Sequence, residues 1–368
     1  VVVIGYGSVK KKDLTGSVSS VSGETLQKVP VSSVAEAMTG RLAGVQITST
    51  DGSPDAEMII RVRGGGSITG DNSPLYIVDG FPVSSISDVS PSDIESIDVL
   101  KDASSTAIYG ARGANGVVII TTKSAKGGRT QISYNGFMQS KSISRRLGCL
   151  GTYDYVMSNY EQALLNGTSA LNTFQTTFGD YDDFYLYKSV KAHDWQKDMF
   201  GSNVLSQQHN VSITGGNEKT KFSLSGTYDY NGGLMQNNNY GRYNFNFKLS
   251  HQLFSNLLFT ANARIIDTKV MGSGTSGGTY KIRSSQAITS MATQGLKAFV
   301  DPSTMDPDEY EQWQRATMSL TAQANQYWKK NLSHTFNFSG SLDWTVIKGL
   351  VLHTEGTYEY GFNDTRNW

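Results

Sequence analysis

The sequence predicts a small α+β domain followed by antiparallel strands of a transmembrane β-barrel. Two observations carry this. Up to about residue 123, short apolar segments alternate with capped helical turns, whereas from Gln131 on nearly every readable segment has period two. Between them lies Lys101–Lys123, KDASSTAIYGARGANGVVIITTK, which passes through Gly110, Gly113 and Gly116 and is followed by the pair Gly127–Gly128. Glycines at that density serve tight turns and close backbone approach. The β-branched run Val117–Thr122 within it reads as a fully buried strand.

Taken in order, Val1–Gly7 (VVVIGYG) is a β-prone segment with no partner nearby. On its own it reads as a frayed terminal strand. Lys10–Lys12 reads as a solvated turn. Leu14–Val21 is a strand, Ser22-Gly23-Glu24 leads into a helical turn, and Ser33–Leu42 is a helix capped by Ser32 or Ser33. Gly44–Ser49, Glu57–Arg63 and Leu75–Val78 are strands, and Asp79-Gly80 is a turn. Ser92–Glu95 opens a short helix with acidic residues in its first turn, and Ile97–Leu100 is a strand. The divisions are 1–13 as a leading segment and linker, 14–128 as the α+β domain, and 129–368 as barrel.

In the second part Phe222, Leu224, Gly226, Tyr228 and Tyr230 alternate with Lys221, Ser223, Ser225, Thr227 and Asp229. Tyr243, Phe245, Phe247 and Leu249 alternate with Asn244, Asn246, Lys248 and Ser250 in the same way. Two more strands repeat this around Phe336–Val346 and Leu350–Phe362. A soluble sandwich also alternates, so three further features decide for a membrane. The strands run about 11–13 residues, the length of a tilted span. Aromatic residues gather at strand ends, as in an interfacial girdle. Connections alternate short (216–218, 254–256, 347–349) and long (roughly 143–203, 231–239 and 269–333), which is the rule for outer-membrane barrels. That parity makes Glu309–Lys330 a helix in an outer loop. Seven strands remain, at about 131–142, 204–215, 220–231, 241–253, 257–268, 335–346 and 350–362. A plugged barrel has about 22, and an open sheet leaves bare edges in lipid. The expectation is therefore an incomplete barrel, the first part of a longer protein.

Composition narrows the function. The 368 residues carry 32 Lys+Arg and 32 Asp+Glu, so there is no basic excess for nucleic acid. The single cysteine, Cys149, allows no intrachain disulfide. No apolar run is long enough for a membrane helix, which says nothing against a barrel. The chain opens at Val1 without methionine or leader, and is expected to be a processed or trimmed product. Gly274-Thr275-Ser276-Gly277-Gly278 fits GxSxG but lies in a Gly/Ser tract, without the strand and helix that a nucleophile elbow needs. His193, His209, His251, His334 and His353 are scattered, with no HExxH, so no metal site is expected. No nucleotide loop and no cofactor motif is present, and the chain reads as a non-enzyme.

YGARGANGVVIITTK at 109–123, preceded by IESIDVLKDA at 94–103, resembles the end of the plug domain of TonB-dependent outer-membrane transporters. LTGSVSSV at 14–21, GRLAGVQI at 40–47, IRVRGGGSI at 60–68 and PLYIVDGFPV at 74–83 narrow the likeness to the SusC-like branch. It extends into the barrel through HDWQKDMF at 193–200 and SITGGNEKTKFSLSGTYDYNGGL at 212–234, while the family's N-terminal extension before the TonB box is absent.

The resemblance implies an outer-membrane importer of a Gram-negative bacterium. Val1, Val2, Val3, Ile4, Gly5, Tyr6 and Gly7 would be the TonB box, captured by strand addition. TonB would pull the plug aside, and a SusD-like surface lipoprotein would close over the outer loops. The substrate would be an oligosaccharide or a peptide, and the assembly could be a dimer of transporter–lid pairs. Gly64, Gly65, Gly66, Ser67 and Asn72 would form a plug loop facing substrate. Arg61, Arg63 and Arg112 are either solvated surface charges or a latch onto lumenal Asp229, Asp343, Glu355 or Glu359. Loop aromatics Tyr153, Tyr185, Tyr187 and Trp313 would stack on sugar or pack against the lid. The competing reading is a non-transporting outer-membrane adhesion or recognition protein, against which the TonB-box-like start and the plug argue.

Overall fold

The computed structural model describes residues 2–4, 7–9, 18–31, 33–49, 52–56, 58–64, 71–87, 89–124, 128–146, 148, 150–189, 195–200, 203–272, 306–307 and 329–367. Strand β1 (Val2–Ile4) pairs antiparallel with β2 (Gly7–Val9), so the leading segment does have a partner, its own continuation. A β-prone segment closes on itself where the chain between the two runs is only two residues long.

The α+β domain runs through β3 (Val18–Ser22), α1 (Gly23–Gln27), α2 (Val34–Met38), β4 (Val45–Ser49), β5 (Met58–Val62), β6 (Leu75–Val78), β7 (Phe81–Val83), β8 (Ile94–Leu100), α3 (Ala103–Thr106) and β9 (Val117–Thr122). Five strands form one sheet in the order β3-β8-β9-β6-β7, with only β6 and β9 parallel. β4 and β5 form a separate hairpin. Ser22 caps α1 by accepting from Thr25 N, and Ser33 caps α2 by accepting from Glu36 N. A Cβ at Gly23 would lie 2.0 Å from Ile94 O, so only glycine lets α1 start against β8. Leu26, Val34, Met38, Ile60, Ile94, Ile97, Val99, Val118 and Ile120 fill the core.

Two local expectations differ, and the expected turn at Asp79-Gly80 is present. The helix from Ser33 stops at Met38, because Thr39 turns out of helical geometry at ψ 127° and Gly40 follows at φ 72°. The Ser92–Glu95 helix is a single 3₁₀ turn, Pro91–Asp93, since Ile94 and Glu95 already belong to β8. β7 follows β6 through the two-residue turn Asp79-Gly80, whose φ values of 52° and 94° suit a tight hairpin.

Beyond Gly128 lies one seven-stranded antiparallel sheet: β10 (Gly128–Lys141), β11 (Val204–Gly216), β12 (Thr220–Gly232), β13 (Asn239–Phe254), β14 (Leu257–Gly272), β15 (Lys329–Ile347) and β16 (Leu350–Asn367). Each strand pairs with the next in sequence. Their lengths run from 13 to 19 residues: β11 and β12 stay within the expected 11–13, and the other five exceed it. Pairing continues past the apolar band into polar segments such as Lys329–Ser333. Lys329 and Lys330 therefore belong to a strand, while the rest of the expected helix, 309–328, lies outside the described residues, as do Cys149 and the GxSxG tract from 274.

The first long connection holds α4 (Thr152–Asn166), α5 (Thr168–Phe178), a 3₁₀ helix (Tyr181–Lys188) and α6 (Trp195–Met199). Val156, Ala163, Phe174, Phe184 and Tyr187 are buried together in a small core of their own.

The register places Tyr134, Val211, Gly226, Phe245, Ile265, Phe336 and Tyr360 in one row across all seven strands. This greasy face points away from the α+β domain, and Phe245 and Val211 are almost half exposed. The polar face is the buried one: Gln208, Asn210, Ser225, Thr227, Asp229 and Arg242 are all at most 5% exposed. A sheet with its polar face inward and its apolar face outward is suited to lipid. In the full-length protein, spin labels at Phe222, Leu224, Phe245 and Phe247 should be quenched by dissolved oxygen, and labels at Ser223 and Asn246 should not. Equal access of a water-soluble quencher to both sets would exclude the barrel.

Candidate functional site

The sheet's polar face holds the α+β domain through a belt of side chains. At its centre is the Asp79 carboxylate, on the turn between β6 and β7. It accepts from Thr122 N at 2.9 Å, Thr122 Oγ1 at 2.5 Å, Lys248 Nζ at 3.1 Å and Asn262 Nδ2 at 3.4 Å. The first two donors are on β9 of the α+β domain, and the last two are on β13 and β14 of the wall. Lys248 and Asn262 are paired across those strands, so the register itself puts both donors at one carboxylate. The Asp79 side chain is 6% exposed. Burial pushes its carboxyl up, but the Lys248 charge, the Thr122 bonds and Arg264 outweigh that and hold it below the ordinary value.

A second set lies closer to the long connections. Arg242 Nε and Nη2 donate to Asp229 Oδ2 at 3.0 and 2.6 Å. Nη1 of the same guanidinium donates to Ser87 O of the α+β domain. Gln208 Nε2 donates to Asp229 Oδ1 at 2.5 Å, and Gln208 Oε1 accepts from Ser92 Oγ at 3.3 Å. The wall pair is thus tied at both ends to the inner domain. Asn210 Nδ2 donates to Asp93 Oδ1 at 3.2 Å, and Asn231 Nδ2 to Pro54 O at 3.3 Å. Burial raises the Asp93 carboxyl above its ordinary value, against bonds from Ser225 and Asn210 and the charges of Lys123 and Arg264.

The latch expected of Arg61, Arg63 and Arg112 is not among these contacts. All three are exposed, and among the described residues none forms an ion pair with Asp229, Asp343, Glu355 or Glu359. Asp229 is taken by Arg242, and His353 Nδ1 meets Asp343 at 2.5 Å while its Nε2 meets Glu355 at 3.1 Å. Arg63 sits beside another cation: burial, then the Arg63 charge, holds the Lys101 amine below its ordinary value. The charges across the interface run the other way, with carboxylates Asp79 and Asp93 on the inner domain and cations Lys248 and Arg264 on the wall. These basic wall residues share the polar parity of their strands, a signal the sequence did contain.

Arg112 instead lines a cavity of about 620 Å³ on the inner domain with Ser33, Asp55, Asp71 and Ser85. A second cavity of about 370 Å³ shares Ser33, Asp55 and Ser87 with it and reaches Lys141, Asn231 and Gly232, at the end of the sheet where the long connections leave. Gly64, at φ 94°, is exposed and Asn72 half-buried, while Gly65, Gly66 and Ser67 lie outside the described residues. Of the loop aromatics, Tyr187 is 1% exposed and donates from its hydroxyl to Phe178 O at 2.9 Å, so it serves the loop core and not a ligand. Tyr153 lies under Lys188 Nζ at 4.8 Å, Tyr185 is exposed, and Trp313 lies outside the described residues.

The two buried carboxylates give a paired prediction. Asp79 has a depressed value, so its stabilisation is full above the ordinary carboxyl value of about 4 and is lost as pH falls through the lower folded value. Asp93 has a raised value, so its protonated form favours the docked state and its ionisation opposes docking as pH rises through that value. At neutral pH Asp79→Asn leaves Lys248 without its counter-ion, a loss of about 3–5 kcal/mol if water stays out. In the full-length protein Asp79→Asn should raise the leak of a large antibiotic, with barrel abundance unchanged. Asp93→Asn should leave the leak at or below wild type. Equal leak in the two variants would contradict this assignment.

The TonB-dependent Receptor Plug Domain family matches residues 10–117. The chain is 34% identical over 360 residues to the TonB-dependent receptor P26 of Formosa agariphila, covering 94% of this chain and 34% of that protein. It is 36% identical over 280 residues to the TonB-dependent receptor SusC of Bacteroides thetaiotaomicron, covering 73% of this chain and 26% of SusC. It therefore spans between about a quarter and a third of these relatives. Among solved structures, the RagAB peptide importer in its open-open state superposes over 100% of this chain and 43% of that one, with TM-score 0.75 and 27% identity. The siderophore receptor PirA from Pseudomonas aeruginosa, at TM-score 0.52 and 15% identity over 96% of this chain and 42% of its own, shares the fold alone. Plug sheet, inward-facing polar wall and these similarities agree: the chain belongs to the SusC-like TonB-dependent receptors, carrying their plug domain followed by antiparallel barrel strands.

Proposed function

We propose that the protein containing this chain imports a large nutrient across an outer membrane, with energy delivered by TonB through the plug. The observation that carries this is the polar interface between plug and wall. It is held by the buried ion pair Asp79–Lys248 and by hydrogen bonds, which water can replace when the two parts separate. Holding the plug falls to Asp79–Lys248 and Arg242–Ser87 in this reading, and not to Arg61, Arg63 and Arg112.

The TonB site is Val1–Gly7. β1 and β2 make a two-stranded sheet in which each strand keeps one unpaired edge, and such an edge accepts a further strand. Substrate enters from the long-connection end, where the two joined cavities lie, one of them lined by Arg112. A peptide or an oligosaccharide fits their mixture of hydroxyls, carboxylates, the Lys141 amine and the guanidiniums of Arg112 and Arg242. RagAB is a peptide importer, which favours the former. A SusD-like lipoprotein acts as the lid, and the loop core of 152–188 gives it a preformed surface that presents Leu164, Leu165 and Tyr185.

Deleting Val1–Gly7 from the full-length protein should abolish energised uptake while folding and outer-membrane abundance stay normal. Uptake at the wild-type rate in the deletion would remove the TonB-site assignment.

A further inference from the structure

The plug does not meet the wall evenly. Against β11, β12 and the first half of β13 the interface is closed, and the lumenal side chains from Gln208 to Arg242 are buried in it. Against β14, β15 and β16 it is parted. Beyond the Asp79–Lys248 and Asp79–Asn262 bonds, one cavity of about 340 Å³ lies between Gly80 and Phe81 on the plug and Thr260, Ser339, Ser341, His353 and Glu355 on the wall. A neighbouring cavity of about 200 Å³ separates Phe81–Val83 from Arg264, Asn337, Thr357 and Glu359. The two share Phe81, Asn262 and Ser339. Two buried side-chain oxygens that lack a donor among the described residues, Asn262 Oδ1 and Asn337 Oδ1, belong to residues lining these cavities. A buried acceptor without a donor favours whatever brings one.

We infer that the solute passes on this side, along the lumenal face of β14–β16, while the plug stays seated on β11, β12 and the first half of β13. The inference rests on the transporter reading. Opening the closed side means separating Arg242–Asp229 from Ser87 and Ser92 and exposing Asp93. Widening the parted side means moving the β6–β7 hairpin from a gap that already exists, with Asp79–Lys248 and Asp79–Asn262 the bonds to release. The lining offers amides, hydroxyls, an imidazole, carboxylates, the Lys248 amine and the Arg264 guanidinium, so charges of both signs are present, with Phe81 the only large apolar side chain that both cavities share. Such a surface exchanges hydrogen bonds with a neutral, hydrogen-bonding chain and holds it at no single point, which suits passage better than capture.

The test uses the full-length protein in cells, with Cys149→Ser and single cysteines at four lumenal serines. Ser339→Cys and Ser341→Cys report the parted side, and Ser223→Cys and Ser225→Cys the closed side. The probe is a maleimide carried on polyethylene glycol, itself a neutral chain that accepts hydrogen bonds, added outside with and without an active TonB system. Energising should speed labelling at Ser339→Cys and Ser341→Cys about tenfold relative to the other pair, the factor that roughly 1.4 kcal/mol of preference gives. Equal acceleration at all four positions means that the whole plug leaves, and overturns the inference while keeping TonB-driven transport. Acceleration confined to Ser223→Cys and Ser225→Cys overturns it as well. No response to TonB at any position removes both the inference and the transporter reading beneath it.

Discussion

One carboxylate joins the two halves of this structure. Asp79 occupies a turn position with φ 52°, a conformation that Asp tolerates better than most residues, followed by glycine at φ 94°. A carboxylate has about four acceptor sites, and here two are taken by Thr122 of the plug and one each by Lys248 and Asn262 of the wall. The same group therefore fixes the end of the plug sheet and its seat in the barrel. Neither job can be changed without the other, because the turn that aims the side chain is also the link between β6 and β7.

The wall is built inside out relative to a soluble sheet. Its apolar rows face outward, so they add nothing to holding the plug, and the seat depends on polar contacts. Such contacts are costly when one partner is truncated, since a buried charge or donor is left alone. They are cheap to exchange when both partners meet water together, because each bond lost is replaced. An apolar interface would lack that asymmetry: separating it costs about 25 cal/mol for every Å² exposed. A polar seat can be firm at rest and still yield to a pull.

The strands of the wall were legible because period-two alternation over a dozen residues is a strong signal, and the short/long parity of the connections fixed their number. The plug core was legible through Val117–Thr122 and the capped turns at Ser22 and Ser33. The seat was harder to read. Asp79 looked like a turn residue, which it is, and nothing local reveals that its carboxylate also reaches β13 and β14. The arginines drew attention through their glycine neighbours, although Arg63 lies beside Lys101. Of the basic residues that do face the plug, Arg242 and Lys248 stood at polar positions of a strand whose alternation had been recognised, and Arg264 stood in 257–268, recognised as a strand without its faces being assigned. The helices of the first long connection were missed because their apolar residues serve a core of only five buried side chains, too small to impose a long period.

The strand order also dictates how the molecule is made. Each wall strand pairs with its successor in the chain, but the bonds from Asp79 span 169 and 183 residues. Pairings between neighbouring strands close over shorter stretches of chain and form first, whereas contacts of high sequence separation carry the larger loop-closure cost. The plug sheet is complete by Thr122, before the first wall strand begins. It is therefore a finished body waiting for its socket, with Asp93 still hydrated until β11 and β12 arrive and Asp79 until β13 and β14 do. Assembly ends with the dehydration of those carboxylates, and separating plug from wall at either one runs that step in reverse.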